Sequence, residues 1–527
     1  MKDDLAKLID HIDALRMNRR AFMGGTAAIG AAAAIGAAPA FASSDSVPKK
    51  GGTLKMGIGG GETTDSLDPG IAASTVPFMV NHQWGDTLVR VSSTGDIEFV
   101  LAESLSSNAD GTSWTFNIRQ GVKFHNGADL TAEDVAQTYR RHSDDNSKSG
   151  ALGIMKGLTN IAVEGNAVVL SLDTGNADLP YLLSDYHLMI QPNGGFDDPT
   201  AAIGTGAYKL AAADPGVRYA FTKNTDDWNK DRGHYDAVEI LVINDATART
   251  SALQSGQVHA INRVEPKVAK LLDRSPTVNV KNVSGRGHYV FIMRTNVPPF
   301  DNNHLRLALK YAINRVEMVD KILDGYGGIG NDTPINAAYP LFDDSLPQRE
   351  FSVEEAAKHY KASGHDGSPI ELIVADTAFP GAVDAAALFQ QSAQAAGIPL
   401  TIKRVPNDGY WSDVWNVVPF SASYWGGRPV QDQMYSTAYL STADWNDTAF
   451  NNPEFDALIL KARGETDLVK RKAYYAELAR ILHDTGGVIV PMFNDFVEAI
   501  SDNLQGWVAN PNQELMDGNV SHVTWLA

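Results

Sequence analysis

Between 114 and 119 apolar and polar side chains alternate, the pattern of a half-buried strand whose successive side chains face opposite ways. The segments 53–58, 167–172, 218–222, 238–243, 289–293, 370–374 and 400–405 are further predicted strands. Helical patterns lie among them. Thr131-Ala132-Glu133-Asp134 reads as a capping box opening a helix to about Arg141, and Ser352-Val353-Glu354-Glu355 opens another that closes at Gly364. Leu305, Leu309, Ala312, Val316, Val319 and Leu323 step by three or four, which predicts one helix over 303–323 capped by Gly325. Leu468, Tyr475, Leu478 and Leu482 form a second such series ending at Gly486-Gly487. Short strands alternating with capped helices predict an α/β fold. There is no internal repeat and no long Pro/Gly/Ser linker, as expected of a chain that crosses between domains more than once.

The first forty-two residues follow a different logic. Arg19-Arg20 precede a Gly/Ala-rich run from Met23 to Ala38, followed by Ala40-Phe41-Ala42. A positive segment, a weakly apolar stretch and an A-x-A site make a signal peptide, and the paired arginines favour twin-arginine export with cleavage after Ala42. The run is too short and too rich in small residues to span a bilayer, which takes about 20 apolar residues. Cleavage leaves 39 basic against 59 acidic residues, a net charge of −20. That charge argues against nucleic acid or an anionic membrane surface as partner. The 527 residues are 43% hydrophobic, enough for two to four domains. Cysteine is absent, which excludes thiol chemistry, disulfides and lipid attachment through an N-terminal cysteine. The expectation is an unlipidated periplasmic protein, monomeric and not inserted in the membrane.

Motifs for catalysis are scarce. Gly325-Tyr326-Gly327-Gly328-Ile329-Gly330 fits G-x-G-x-x-G but follows a predicted helix rather than a strand, so it reads as a helix-terminating loop. No G-x-S-x-G, H-E-x-x-H or Walker loop occurs, and the 13 histidines are scattered without metal spacing. No cofactor, no metal and no enzymatic activity are expected. One region stands out by composition: Tyr410, Trp411, Trp415, Phe420, Tyr424, Trp425, Tyr435, Tyr439 and Trp445 crowd into 36 residues. Most read as core. Tyr424-Trp425-Gly426-Gly427-Arg428 is the exception, since glycines beside a charge suit a small-molecule cleft better than a core.

Several ordered motifs carry a resemblance. They are Gly51-Gly52-Thr53-Leu54, Asp65-Ser66-Leu67-Asp68-Pro69, Leu101-Ala102-Glu103-Ser104, the stretch 114–127 ending Lys123-Phe124-His125-Asn126-Gly127, and Leu130-Thr131-Ala132-Glu133-Asp134-Val135. Gly204-Thr205-Gly206-Ala207-Tyr208-Lys209-Leu210 and Pro298-Pro299-Phe300-Asp301 follow. Together they resemble the extracytoplasmic solute-binding proteins of family 5, the peptide-, dipeptide- and nickel-binding receptors of ABC importers. The resemblance implies a bilobal periplasmic-binding-protein fold of class II with an inserted third domain. Lobe I is expected at 43–86, 204–295 and 491–527, the insertion, domain II, at 87–203, and lobe III at 296–490. A ligand would bind between lobes I and III, which close by hinge rotation and present it to the permease and ATPase subunits.

The ligand implied is a peptide or peptide-like solute. The acidic residue that holds the peptide amino group in dipeptide-binding relatives aligns near Val430, and the arginine that holds the carboxylate aligns near Asp376. Both anchors are thus absent, and a plain dipeptide is not the expected ligand. Candidate ligand-binding residues are Tyr424, Trp425, Arg428, Asp432, Asp376 and Asp65. The alternatives are another small solute on the same scaffold, such as an opine, a sugar, haem or a nickel chelate, and a periplasmic hydrolase.

Overall fold

Each of the eight predicted strands forms, with ends within a residue or two of the pattern; Ile370–Val374 matches it throughout. The computed structural model describes residues 47–527 except Thr466, so the expected export signal at 1–42 lies outside the described residues. Lys49–Ala527 make one unit, organised around two large sheets and a smaller one.

The first sheet has seven strands in the order Val278–Val283, Phe496–Ser501, Ala260–Ile261, Thr53–Ile58, Ala237–Val242, Arg218–Lys223, Tyr208–Asp214. Thr53–Ile58 runs parallel to both its neighbours, and its Leu54, Met56 and Ile58 are fully buried. The second sheet has six strands in the order Gly327–Ile329, Val488–Asn494, His288–Met293, Phe420–Trp425, Ile370–Val374, Leu400–Arg404. His288–Met293 and Val488–Asn494 are buried at every position. Such strands read as continuous apolar runs because both faces are covered. Each sheet has its own core, and the second sheet's core is drawn wholly from residues between Tyr289 and Phe493.

The chain passes between the sheets at two adjacent places. Val283 and Phe496 pair in the first sheet, while His288 and Phe493 pair in the second. The outward crossing is therefore 284–287, and the return is Asp495 alone. A side chain at Gly285 would stand 2.6 Å from the Pro511 carbonyl oxygen, and one at Gly287 would stand 2.9 Å from the Phe496 ring. The crossing is thus tightly packed, and glycine is what lets it pass. These pairings also place His288–Met293 and residues 491–494 in the second sheet, although both stretches were expected in lobe I. An apolar strand does not announce which sheet it joins.

A four-stranded antiparallel sheet, Ala102–Ser107, Ser113–Ile118, Ala167–Leu172 and Leu158–Glu164, lies within the stretch expected as the insertion. Helix Ala132–Ser143 packs on it, and its start is the predicted capping box: Thr131 Oγ1 accepts from Asp134 N–H at 3.3 Å and Asp134 Oδ2 accepts from Thr131 N–H at 2.9 Å. Ser352 Oγ accepts from Glu355 N–H at 3.2 Å to cap Val353–Ser363. The predicted box is not closed, because the Ser352 N–H donates to the Tyr311 carbonyl instead of Glu355, and Gly364 ends the helix at φ 67°.

The predicted helix over 303–323 is broken. Asn303–Ala312 ends at Ile313, whose backbone is extended, and the Asn314 side chain then caps a new turn at Glu317 N–H, 3.2 Å away. A β-branched residue followed by Asn is a weak place for helix continuity. The break also turns Val316 outward to 60% exposure and lets Arg315 reach buried Asp332 at 2.6 Å. Asp324 rather than Gly325 takes the left-handed cap. The glycine-rich segment after it contains strand Gly327–Ile329, where side chains at Gly327 and Gly330 would run into the carbonyl oxygens of Phe493 and Val490. Close strand approach, not a phosphate, accounts for those glycines.

Candidate functional site

Between the two sheets lies a narrow cleft of about 30 Å³, room for a water molecule or two with the walls this close together. One wall comes from the first lobe: Ser74, Thr75 and Phe78 around the start of helix Thr75–Trp84, with Gln513. The other comes from the second lobe: Trp411, Trp415, Tyr424, Trp425, Arg428 and Trp445. Tyr186 completes the lining. Strand Phe420–Trp425 delivers Tyr424 and Trp425 and runs directly into Gly426-Gly427. Side chains at these glycines would collide with the Gln513 amide and the Asn512 carbonyl, so the pair lets this loop abut the first lobe.

The tryptophan wall is braced from behind. Trp415, Trp425 and Trp445 pack edge-on or tilted with centroids 5.2 to 6.3 Å apart. Both the Trp415 and Trp425 indole N–H groups donate to Asp447 Oδ2, at 3.0 and 3.1 Å. Burial pushes the Asp447 carboxyl up to about 7. A carboxyl raised in the folded state contributes stability that is fully present below its unfolded value near 4 and is lost as pH rises through 7. Wild-type tryptophan fluorescence is therefore expected to titrate near pH 7, and Asp447→Asn is expected to abolish that transition and to gain stability relative to wild type from pH 5 to 8. A wild-type titration that persists in D447N would assign it elsewhere.

Arg428 is 4% exposed. Its backbone N–H donates to Tyr339 Oη at 3.3 Å and its Nη1 to the Gly427 carbonyl at 3.0 Å. Its Nε has no hydrogen-bond partner and stands 4.0 Å from Asp185 Oδ2. That carboxylate is already engaged, by His187 Nδ1 at 2.5 Å and Gln433 Nε2 at 2.9 Å. Asp185 is held well below the usual carboxylate range by His187 and Arg428, against the opposing effect of its burial.

A second buried cation links the two walls. Arg263 Nε donates to Glu514 Oε1 at 2.9 Å, Nη2 donates to Thr75 Oγ1 at 2.9 Å, and the guanidinium lies 4.1 Å over the Tyr424 ring. Glu514 Oε2 accepts from the Thr75 hydroxyl and from Asn262 Nδ2, each at 3.0 Å. Tyr424 Oη and Thr75 Oγ1 are 3.2 Å apart across the cleft. At the rim, Trp411 N–H donates to Glu62 Oε2 at 3.1 Å, and Thr63 donates from its backbone and hydroxyl to Asp408 Oδ1 at 3.1 and 2.9 Å.

Of the residues singled out by sequence, Tyr424, Trp425 and Arg428 come together in the cleft. Asp432 does not join them: fully buried on helix Gln431–Ala438, it pairs with Arg463 Nε at 3.1 Å. Asp376 is exposed and pairs with Arg404 at 2.5 Å. Asp65 shapes the turn beneath Glu62, accepting from its N–H at 3.0 Å, and burial pushes its carboxyl up to about 7. Thr75, Phe78, Tyr186, Arg263, Asp447 and Gln513 carried no sequence signal, being single residues whose partners lie far along the chain. Among the described residues there is no group of three or more His, Asp or Glu arranged to hold a metal, and no helix long and apolar enough to cross a membrane.

Residues 96–447 match the model of the bacterial extracellular solute-binding proteins, family 5 Middle. The chain is 23% identical over 493 residues to the oligopeptide-binding protein OppA of Bacillus subtilis, covering 84% of this chain and 88% of that one. Among solved structures it is similar to the periplasmic binding protein DppA of Helicobacter pylori in complex with the peptide STSA, with TM-score 0.82, 20% identity, and 91% and 98% of the two chains covered. It is similar also to AgaA of A. tumefaciens R10 in complex with agropinic acid, with TM-score 0.80, 22% identity, and 90% and 99% covered.

Proposed function

Since the chain belongs to the bacterial extracellular solute-binding proteins of family 5, we propose that it captures a peptide or peptide-like solute between its two lobes and delivers it to the permease of an ABC importer. The observation that carries the reading is a cleft whose aromatic and polar lining comes from both lobes across a two-strand crossing. A solute that touches both walls binds the closed state better than the open one and shifts the population toward it. No bond chemistry is required for that work, and the absence of a nucleophile motif in the sequence agrees with it. The peptides bound by the relatives support the ligand class. We place the mature chain in the periplasm, exported through the twin-arginine segment and acting as a monomer.

A second reading keeps the scaffold and changes the cargo to an opine-like solute. The agropinic acid bound by AgaA favours it, as does the buried Arg428 in the cleft. Native mass spectrometry of protein purified from the periplasm separates the two readings. A ladder of peptide masses supports the first and one defined small mass supports the second. Turnover of an added substrate would overturn both. Saturating ligand is expected to change the fluorescence of Trp411, Trp415 and Trp425. A signal unchanged in both wild type and Trp425→Phe would rule out this cleft as the binding site.

A further inference from the structure

We infer that the solute is recognised through a carboxylate, received by Arg428 against the tryptophan wall, and that its capture requires no ligand ammonium. The inference rests on the cleft reading above and names the chemistry of its occupant. Among the described residues, Arg428 is the one charged side chain lining the cleft. Two of the lining nitrogens are buried without a hydrogen-bond partner, Arg428 Nε and Trp411 Nε1. Both only donate. The hydroxyls of Ser74 and Thr75 and the Gln513 amide serve either way. An acceptor-rich group is what such a lining lacks.

Most carboxylates around the cleft are already committed, and the exception, Asp517, interacts electrostatically with Arg428 and lies outside the lining. Asp185 accepts from His187 and Gln433, Glu514 from Arg263, Thr75 and Asn262, Asp447 from two indoles, and Asp432 from Arg463. Glu62 accepts from Trp411 N–H at the rim, and Asp65 accepts from Glu62 N–H. A ligand ammonium would find ring faces but no carboxylate in the lining, whereas a ligand carboxylate would meet Arg428, whose Nε makes no hydrogen bond and stands 4.0 Å from Asp185. Charge-assisted hydrogen bonds to a desolvated anion are the strong kind. The remaining surface is flat and apolar, which suits an aromatic, acyl or sugar-like body.

The test uses the mature chain and four forms of one tetrapeptide, Ala-Phe-Ala-Ala: free, N-acetylated, C-amidated, and blocked at both ends. Binding is read by calorimetry and tryptophan fluorescence. Amidation is expected to weaken binding about tenfold to a hundredfold, and acetylation less than about threefold, the scale of a group with no specific partner. Arg428→Met is expected to erase the difference between free and amidated forms, and Arg428→Lys to retain part of it, with melting curves reporting the fold of both. Acetylation costing more than amidation, or Arg428→Met keeping the discrimination, would overturn the inference. A parallel pair, 3-phenylpropanoate and its amide, separates the two levels. If no peptide form binds, the peptide reading falls, and preference for the acid over its amide still supports the carboxylate site. Binding of neither partner of that pair in such a case overturns both.

Discussion

Arg232→Ala is expected to destabilise the chain by about 3–5 kcal/mol, the range for stripping one partner from a buried ion pair. Arg232 donates to Asp86 at 2.6 and 2.8 Å, to Asp227 at 2.9 and 3.0 Å, and to the Thr205 carbonyl at 3.2 Å, with only 6% of its side chain exposed. Asp86 follows the helix Thr75–Trp84 that walls the cleft, so this cluster ties that wall to the segment carrying Thr205, Asp227 and Arg232. Without the guanidinium, Asp86 would keep only the Thr205 hydroxyl at 2.9 Å and the Trp228 indole at 3.3 Å. Urea unfolding measures the loss through the midpoint of the first transition, because a chain of several lobes need not unfold in one step. The double variant Asp86→Ala/Arg232→Ala is expected to be less damaged than the sum of the single changes, since it leaves one fewer uncompensated charge. Arg232 holds the Asp86 carboxyl down at about 2 against the effect of burial. A lowered carboxyl contributes stability that is present above its unfolded value near 4 and lost as pH falls through 2. The gap between wild type and Arg232→Ala is therefore expected to narrow in acid. A loss under 1 kcal/mol at pH 7 would mean that water reaches the cluster on opening.

The local devices of this fold are visible in its sequence because their parts are close together. Thr131 and Asp134, or Ser352, Glu355 and Gly364, sit within one or three turns of each other, and the helices begin or end where they say. Ile313-Asn314 defeated the longer pattern because the series of apolar residues continues through the break. Its reason is tertiary: Arg315 turns inward to Asp332. The lobe boundary failed for a similar cause, since the apolar run at 289–293 suits the middle of either sheet.

In the site, Tyr424, Trp425 and Arg428 were legible because Gly426-Gly427 mark a backbone that must pass close to something. Asp432 and Asp376 misled because a carboxylate in sequence does not show its partner. Arg463 lies 31 residues from Asp432, and Arg404 lies 28 from Asp376. Glu514 is 251 residues from Arg263. No pattern of period two or three reaches that far.

That distant pair sets the second large effect. Arg263→Met is expected to weaken ligand binding about ten- to three-hundredfold without touching the Arg428 side of the cleft. Arg263 and Glu514 belong to the first lobe, Tyr424 to the second, and the guanidinium over the Tyr424 ring at 4.1 Å is a contact made only when the walls meet. A desolvated cation–π contact contributes about 1–2 kcal/mol. The Thr75–Tyr424 hydrogen bond, oriented by Arg263, adds about 0.5–1.5 kcal/mol. Removing the cation raises the energy of the closed state, and the apparent affinity falls by the fraction of molecules that remain competent. Glu514→Gln is the control: it leaves the guanidinium over Tyr424, so its binding loss is expected to be smaller. Hydrogen exchange in Phe420–Trp425 and at the start of Thr75–Trp84 is expected to quicken in the ligand-free Arg263→Met protein, and to slow again when ligand saturates it. Faster exchange confined to the first lobe, with unchanged affinity, would make Arg263 a support for Glu514 alone. Weaker binding with faster exchange on both walls would make it the clamp between them.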